Sequence, residues 1–201
     1  MPIPNNSWLH QKEELQRAAR KIDKSVILLP KDHWIFHLVW WTAAVFTLSA
    51  FAWGIHRKTF FERFATTIGP LQGYPKSWTY HQVLRVIIHE SRHTRQCRWF
   101  GLMIHPWLGL PLYFVLYSLL LFPVGLAYFR VWFEVDADKA KWKVLIAEHG
   151  WGPVQVTADA KRRAAMVSSG LYFWPLPKSW VLKMHLNGAD AALESALEEA
   201  A

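Results

Sequence analysis

A chain of 201 residues is long enough for one compact domain with its own core and short for two. Its apolar share of 52%, charged share of 19% and single cysteine exclude a disordered, collagen-like or disulfide-stapled protein. Thirteen Trp and a formal charge of +8 leave a nucleic-acid binder or a membrane protein, because Trp collects where an apolar phase meets water.

In chain order, the first expected element is an amphipathic helix over about Gln11–Lys24, within a polar segment 1–33. The start, MPIPNNSWLHQKEELQRAARKIDK, has no apolar stretch behind a short basic one, so it does not read as a cleavable signal peptide. Between Asp32 and Arg57 the chain runs 24 residues without Asp, Glu, Lys or Arg, and between Arg98 and Arg130 it runs 31. About 20 apolar residues in a helix span a bilayer. Trp34–Gly54 is therefore predicted as an uncleaved transmembrane or membrane-anchoring helix, with lipid as a partner and the membrane as the location. Arg17, Arg20, Lys21, Lys24 and Lys31 before it outnumber Arg57, Lys58 and Arg63 after it, a mild bias for a cytoplasmic N-terminus. No basic stripe interleaves with aromatics outside the two gaps, so no nucleic acid is expected.

Residues 59–74, TFFERFATTIGPLQGY, combine β-branched and aromatic residues with Gly-Pro and a second Gly, and predict one or two short strands. Thr79 with Gln82 three places on is a capping-box spacing that opens a helix over about Tyr80–Trp99. The second gap, 99–129, is too short for two crossings, which take about 40 residues. Pro106, Pro111 and Pro123 with Gly109 and Gly125 break it into an apolar re-entrant hairpin. A helix over about Ala127–His149 then stops at Gly150, and 151–201 form a helical tail with helices near Thr157–Ser169 and at the end. The fold class expected is mainly α with a short β element (α+β).

The chemistry gathers on the helix before the second gap. In VLRVIIHESRHTRQCRWFG, His89 and His93 stand at i and i+4, one turn apart on one helical face, and can hold one zinc ion. Glu90 can take a proton from a zinc-bound water as general base. Zinc needs a third protein ligand, and in FRVWFEVDADKAKW Glu134 can complete a His–His–Glu set. Asp138, one turn on, can accept a hydrogen bond from a ligand histidine and fix its tautomer. Two carboxylates on one helical face between Trp132 and Val135 are costly without a cation. The alternative is a solvated face salted with Lys139, Lys141 and Lys143. Region 57–150 is thus the expected zinc-binding region, with the hairpin 99–129 facing the membrane. Cys97 reads as packing.

His89-Glu90-x-x-His93 followed by Glu134-x-x-Ala137-Asp138 resembles the gluzincin zinc metallopeptidases, whose third ligand is a Glu in an E-x-x-x-D helix. The E-x-x-A-D form beside apolar segments is similar to the membrane-bound peptidases of the CAAX-processing and heat-shock type. His93-x-x-Gln96 also resembles the HExxHxxQ motif of small bacterial and phage gluzincin-like proteins. The resemblance covers about residues 60–145. It implies zinc ligation by His89, His93 and Glu134, a catalytic Glu90, a supporting Asp138, and a strand near Phe64–Ile68 able to pair with an extended peptide. It assigns no oxyanion-stabilising residue: Tyr128, His149 and Tyr172 are candidates that read more simply as packed. Two functions stay open. One is a membrane-associated zinc hydrolase, a peptidase by resemblance. The other is a non-catalytic membrane-anchored protein in which zinc only staples helices.

Overall fold

The computed structural model describes residues 7–46, 57–118, 126–168 and 177–200. Within them the protein is mainly helical, with eight α-helices and one small mixed sheet. The chain divides into two compact units, Met1–Leu110 and Pro111–Ala201.

In the first unit, Ser7 caps a 3-10 turn at Trp8–Gln11, which leads into α1 (Lys12–Ile22). Helix α1 buries Leu15 and Ala19, with acidic Glu13 and Glu14 in its first turn and basic Arg20 and Lys21 in its last, each complementing the helix dipole. Strand β1 (Ile27–Pro30) follows, then α2 (Trp34–Phe46), α3 (Arg57–Arg63), β2 (Thr66–Ile68), β3 (Leu71–Tyr74) and α4 (Tyr80–Phe100). The sheet order is β1-β3-β2. Strand β1 runs parallel to β3 in the register Leu28 to Gln72, and β2 runs antiparallel in the register Thr67 to Gln72. Trp8, Leu15, Ala19, Val26, Leu28, Tyr74, Val83 and Ile87 form the core. Trp8 anchors it through an indole N–H donated to the Pro75 carbonyl at 2.9 Å.

The alternation of the strands sorts their side chains. Thr67 and Gln72 reach α4, while Thr66 and Gly73 lie on the opposite face. There Phe36 of α2 sits directly on Gly73, where an added Cβ would come within 2.4 Å of the ring. Lys31 is buried on this same face; its amine donates to Thr66 Oγ1 and lies 3.9 Å from the Phe60 ring centroid.

Three expectations change. Residues 59–63 are helical, within α3, rather than extended, because Phe60 is buried against Trp40 of α2 and that packing outweighs the strand propensity of Thr and Phe. Strand β1, read only as part of a polar segment, uses the apolar run Val26–Leu29. Most consequentially, β1 lies before the 24-residue apolar stretch and β3 after it, yet the two pair side by side. Among the described residues no helix is long and apolar enough to cross a membrane. Helix α2 covers the first part of the stretch, and 47–56 lie outside the described residues. Of the expected hairpin 99–129, α5 (Pro106–Ser118) is described and 119–125 are not.

The second unit contains α6 (Leu126–His149), α7 (Pro153–Val167) and α8 (Lys178–Ala200). Gly150, at φ +64°, ends α6 in the left-handed conformation that glycine adopts without strain. Pro153 opens α7, where its missing N–H costs no hydrogen bond. Two apolar clusters hold the three helices: Val131, Val135, Ala164, Val167 and Val181, and Trp142, Val156, Ala160, Ala189 and Ala192.

Candidate metal centre

Helix α4 carries the HExxH residues, and its start is fixed as the spacing predicts. Thr79 accepts from the Gln82 N–H at 3.3 Å, and the Thr79 N–H donates to Gln82 Oε1 at 2.7 Å. The helix is then locked against the sheet by a polar relay. Tyr74 O–H donates to Gln72 Oε1 at 2.8 Å, and Gln72 Nε2 donates to Ser91 Oγ at 3.1 Å and Thr94 Oγ1 at 3.3 Å. These groups are buried, so each bond also avoids the cost of an unpaired polar atom.

That lock sets the rotation of α4 and buries His89 and His93 together. Their Nε2 atoms face each other at 3.1 Å, with the rings nearly perpendicular. Two nitrogens held 2.0–2.1 Å from one tetrahedral ion stand about 3.3 Å apart. His93 Nδ1 lies 2.8 Å from Gln96 Oε1, which accepts its proton and leaves Nε2 with a lone pair. Gln96 is the last position of the HExxHxxQ resemblance. Glu134, buried on α6, is the third donor: one ligand atom from each of His89, His93 and Glu134 lies within 4.8 Å of the others. Two imidazoles and a carboxylate make a donor set that zinc accepts in hydrolytic sites.

Glu90 is half-buried, and Thr67 of β2 donates its O–H to Glu90 Oε2 at 2.7 Å. Thr67 was legible only as a residue of a short strand. On α6, Asp138 is fully buried; Arg163 Nε donates to its Oδ2 at 2.8 Å, and Lys141 Nζ to its Oδ1 at 3.0 Å. The same guanidinium donates through Nη2 to Glu134 Oε2 at 3.0 Å. One arginine therefore bridges the two carboxylates, and it is a cation that this pair was expected to require.

Lys141 goes on to Asp159 at 2.7 Å, where Trp142 and Arg162 also donate. Burial alone would raise the Asp159 carboxyl, but these partners outweigh it and hold the pKa below the usual carboxylate range. His185 Nδ1 donates to the Val181 carbonyl, placing Nε2 3.6 Å from Asp138 Oδ2, and burial lowers its pKa. None of Arg163, Asp159 and His185 was singled out from the sequence. The adjacent Arg162-Arg163 pair was visible, but nothing local tied it to residues 134 and 138.

The remaining candidates fall elsewhere. Cys97 is buried, and burial pushes its thiol up to about 12, which keeps it protonated. His149 is exposed at the end of α6. Tyr172 and the Tyr128 side chain lie outside what the structure describes.

The geometry thus defines a buried His–His–Glu group that can hold a metal ion. No protein-family model, curated protein or solved structure matches the chain.

Proposed function

We propose that this protein is a membrane-associated zinc-dependent hydrolase of the gluzincin kind, acting on peptide bonds, with His89, His93 and Glu134 as zinc ligands and Glu90 as general base. The observation that carries the reading is the burial of these three donors within 4.8 Å of one another, two of them from an HExxH helix. A zinc ion bound there would act as a Lewis acid and bring the pKa of a water near 7.

The chain's own residues supply the rest. Thr67 holds Glu90 Oε2, which leaves Oε1 to take a proton from the attacking water and return it to the leaving amine. Gln96 keeps the His93 proton on Nδ1. Arg163 fixes the rotamer of Glu134 and balances its charge, with Asp138 completing the clamp. Exposed Trp34, Leu38 and Trp41, together with the large apolar side chains around Ile104, support work at a lipid surface.

The test is zinc content and peptide hydrolysis of the wild type, His93→Ala and Glu90→Gln. One zinc per chain is expected, lost in His93→Ala and kept in Glu90→Gln, with hydrolysis abolished in both. Equal zinc in wild type and His93→Ala refutes the site. Full hydrolysis in Glu90→Gln refutes the base and leaves the site standing. Zinc without hydrolysis in the wild type would favour the stapling role.

A further inference from the structure

We propose that the N-terminal unit is monotopic: it docks on the headgroup layer of a leaflet rich in anionic lipid through the apolar turn after α4, and the chain does not cross the bilayer between β1 and β2. The inference rests on the membrane-surface part of the function proposed above and is independent of its metal chemistry.

The sheet supplies the topological half. β1 and β3 are hydrogen-bonded neighbours on either side of the apolar stretch, and the Lys31 N–H extends the pairing to the Tyr74 carbonyl at 2.9 Å. Whatever enters lipid between them returns to the side it left.

The turn after α4 presents the apolar surface. Leu102, Met103 and Ile104 are 82%, 54% and 66% exposed, and Trp99 and Leu108 beside them are also exposed. Leu102 and Met103 hold φ values of +55° and +62°, a conformation that large side chains rarely adopt. Its backbone, however, has internal partners. The N–H groups of Gly101, Met103 and Ile104 reach the carbonyls of Cys97, Arg98 and Gly101, and Arg98 Nη1 donates to the Ile104 carbonyl at 3.1 Å. A turn that satisfies these groups from within can present its side chains to lipid without exposing them to a medium that offers no partners. Gly109 permits the close return of α5 on α4, since a Cβ there would fall 1.8 Å from the Cys97 carbonyl oxygen.

Charge selects the lipid. Arg98 is clasped by Asp23 through Nε at 2.7 Å and Nη2 at 2.8 Å, which brings the end of α1 to the base of the turn. Lys21 and Lys24 flank Asp23, and Arg95 lies one helical turn before Trp99; all three are exposed. Basic side chains around an apolar tip match anionic headgroups around acyl chains.

The test reconstitutes the 201-residue chain carrying Cys97→Ser into sealed vesicles of phosphatidylcholine with or without phosphatidylglycerol. Single cysteines at Gln11 and Glu62, flanking the stretch, should label with an impermeant maleimide from the same side. An environment-sensitive fluorophore at Leu102→Cys should shift to the blue and be quenched by doxyl-labelled lipid. That quenching should fall several-fold without phosphatidylglycerol or in the triple variant Lys21→Glu, Lys24→Glu, Arg95→Glu. Opposite-side labelling overturns the inference. So does a blue shift without lipid, which would mean the turn packs on protein. Vesicle flotation with a water-exposed turn overturns it while sparing membrane association, and failure to float removes both.

Discussion

Lys31 offers a perturbation whose size follows from its surroundings. The residue is 1% exposed, its amine bonded to Thr66 Oγ1 and enclosed by Phe36 and Phe60; burial lowers its pKa from 10.5 to about 7, against a smaller pull upward from Glu90. The unfolded chain holds this proton up to pH 10.5, so between pH 7 and 10.5 it binds more protons than the folded protein and stability rises with pH. At 1.36 kcal/mol per tenfold, the buried amine costs about 4 kcal/mol of stability at pH 7, and about 2 of that returns by pH 9. Lys31→Met keeps the volume and removes the titration, while giving up a hydrogen bond and cation–π contacts worth about 1–2 kcal/mol. The variant should therefore be more stable at pH 7 by about 2–3 kcal/mol, with little change between pH 7 and pH 9, where the wild type gains. Urea unfolding at the two pH values, in the same mild detergent, measures both quantities. A variant less stable than the wild type at pH 7, with the same gain towards pH 9, would show that the folded protein carries Lys31 charged and well solvated, and would refute the reasoning.

Two other substitutions probe the packing and the clamp. Arg163→Met should lower zinc affinity about ten- to a hundredfold, as loss of a ligand-orienting partner does, measured by competition with a chromophoric chelator; unchanged affinity would remove Arg163 from the site. Gly73→Ala pushes a methyl into the Phe36 ring and should destabilise by about 1–3 kcal/mol, with Phe36→Leu in the same chain restoring much of the loss. Equal costs in both backgrounds would mean that the ring is not what glycine accommodates.

What could be read from the sequence was local. The capping pair Thr79 and Gln82, the stop at Gly150, the i, i+4 pairs His89/His93 and Glu134/Asp138, and the triad His89, His93 and Glu134 all lie within single helical turns or follow a known ligand pattern. What could not be read depends on long-range pairing. Thr67 meets Glu90 across 23 residues and Arg163 meets Glu134 across 29, through packing that no periodicity announces. The apolar stretch after Asp32 illustrates the limit. Its composition was legible, but the pairing of residues 27–30 before it with residues 71–74 after it is encoded by neither segment alone. Lys31, one charge among many before that stretch, becomes a buried amine only once β1 pairs and α2 folds over it.

Gln16 carries a consequence for how this sheet can grow. Its side-chain amide accepts the Leu28 N–H at 2.8 Å and donates to the Val26 carbonyl, so it stands on the outer side of β1 as a single peptide unit of a further strand would. A sheet edge with open amides is a template for other chains, and natural proteins block such edges. Here a glutamine from α1 occupies the template at β1. Any strand joining this sheet is directed to the other border, beside β2, whose Thr67 holds Glu90. Growth of the sheet is thereby steered away from self-association at β1 and towards the border where an added strand would lie beside the strand that holds Glu90.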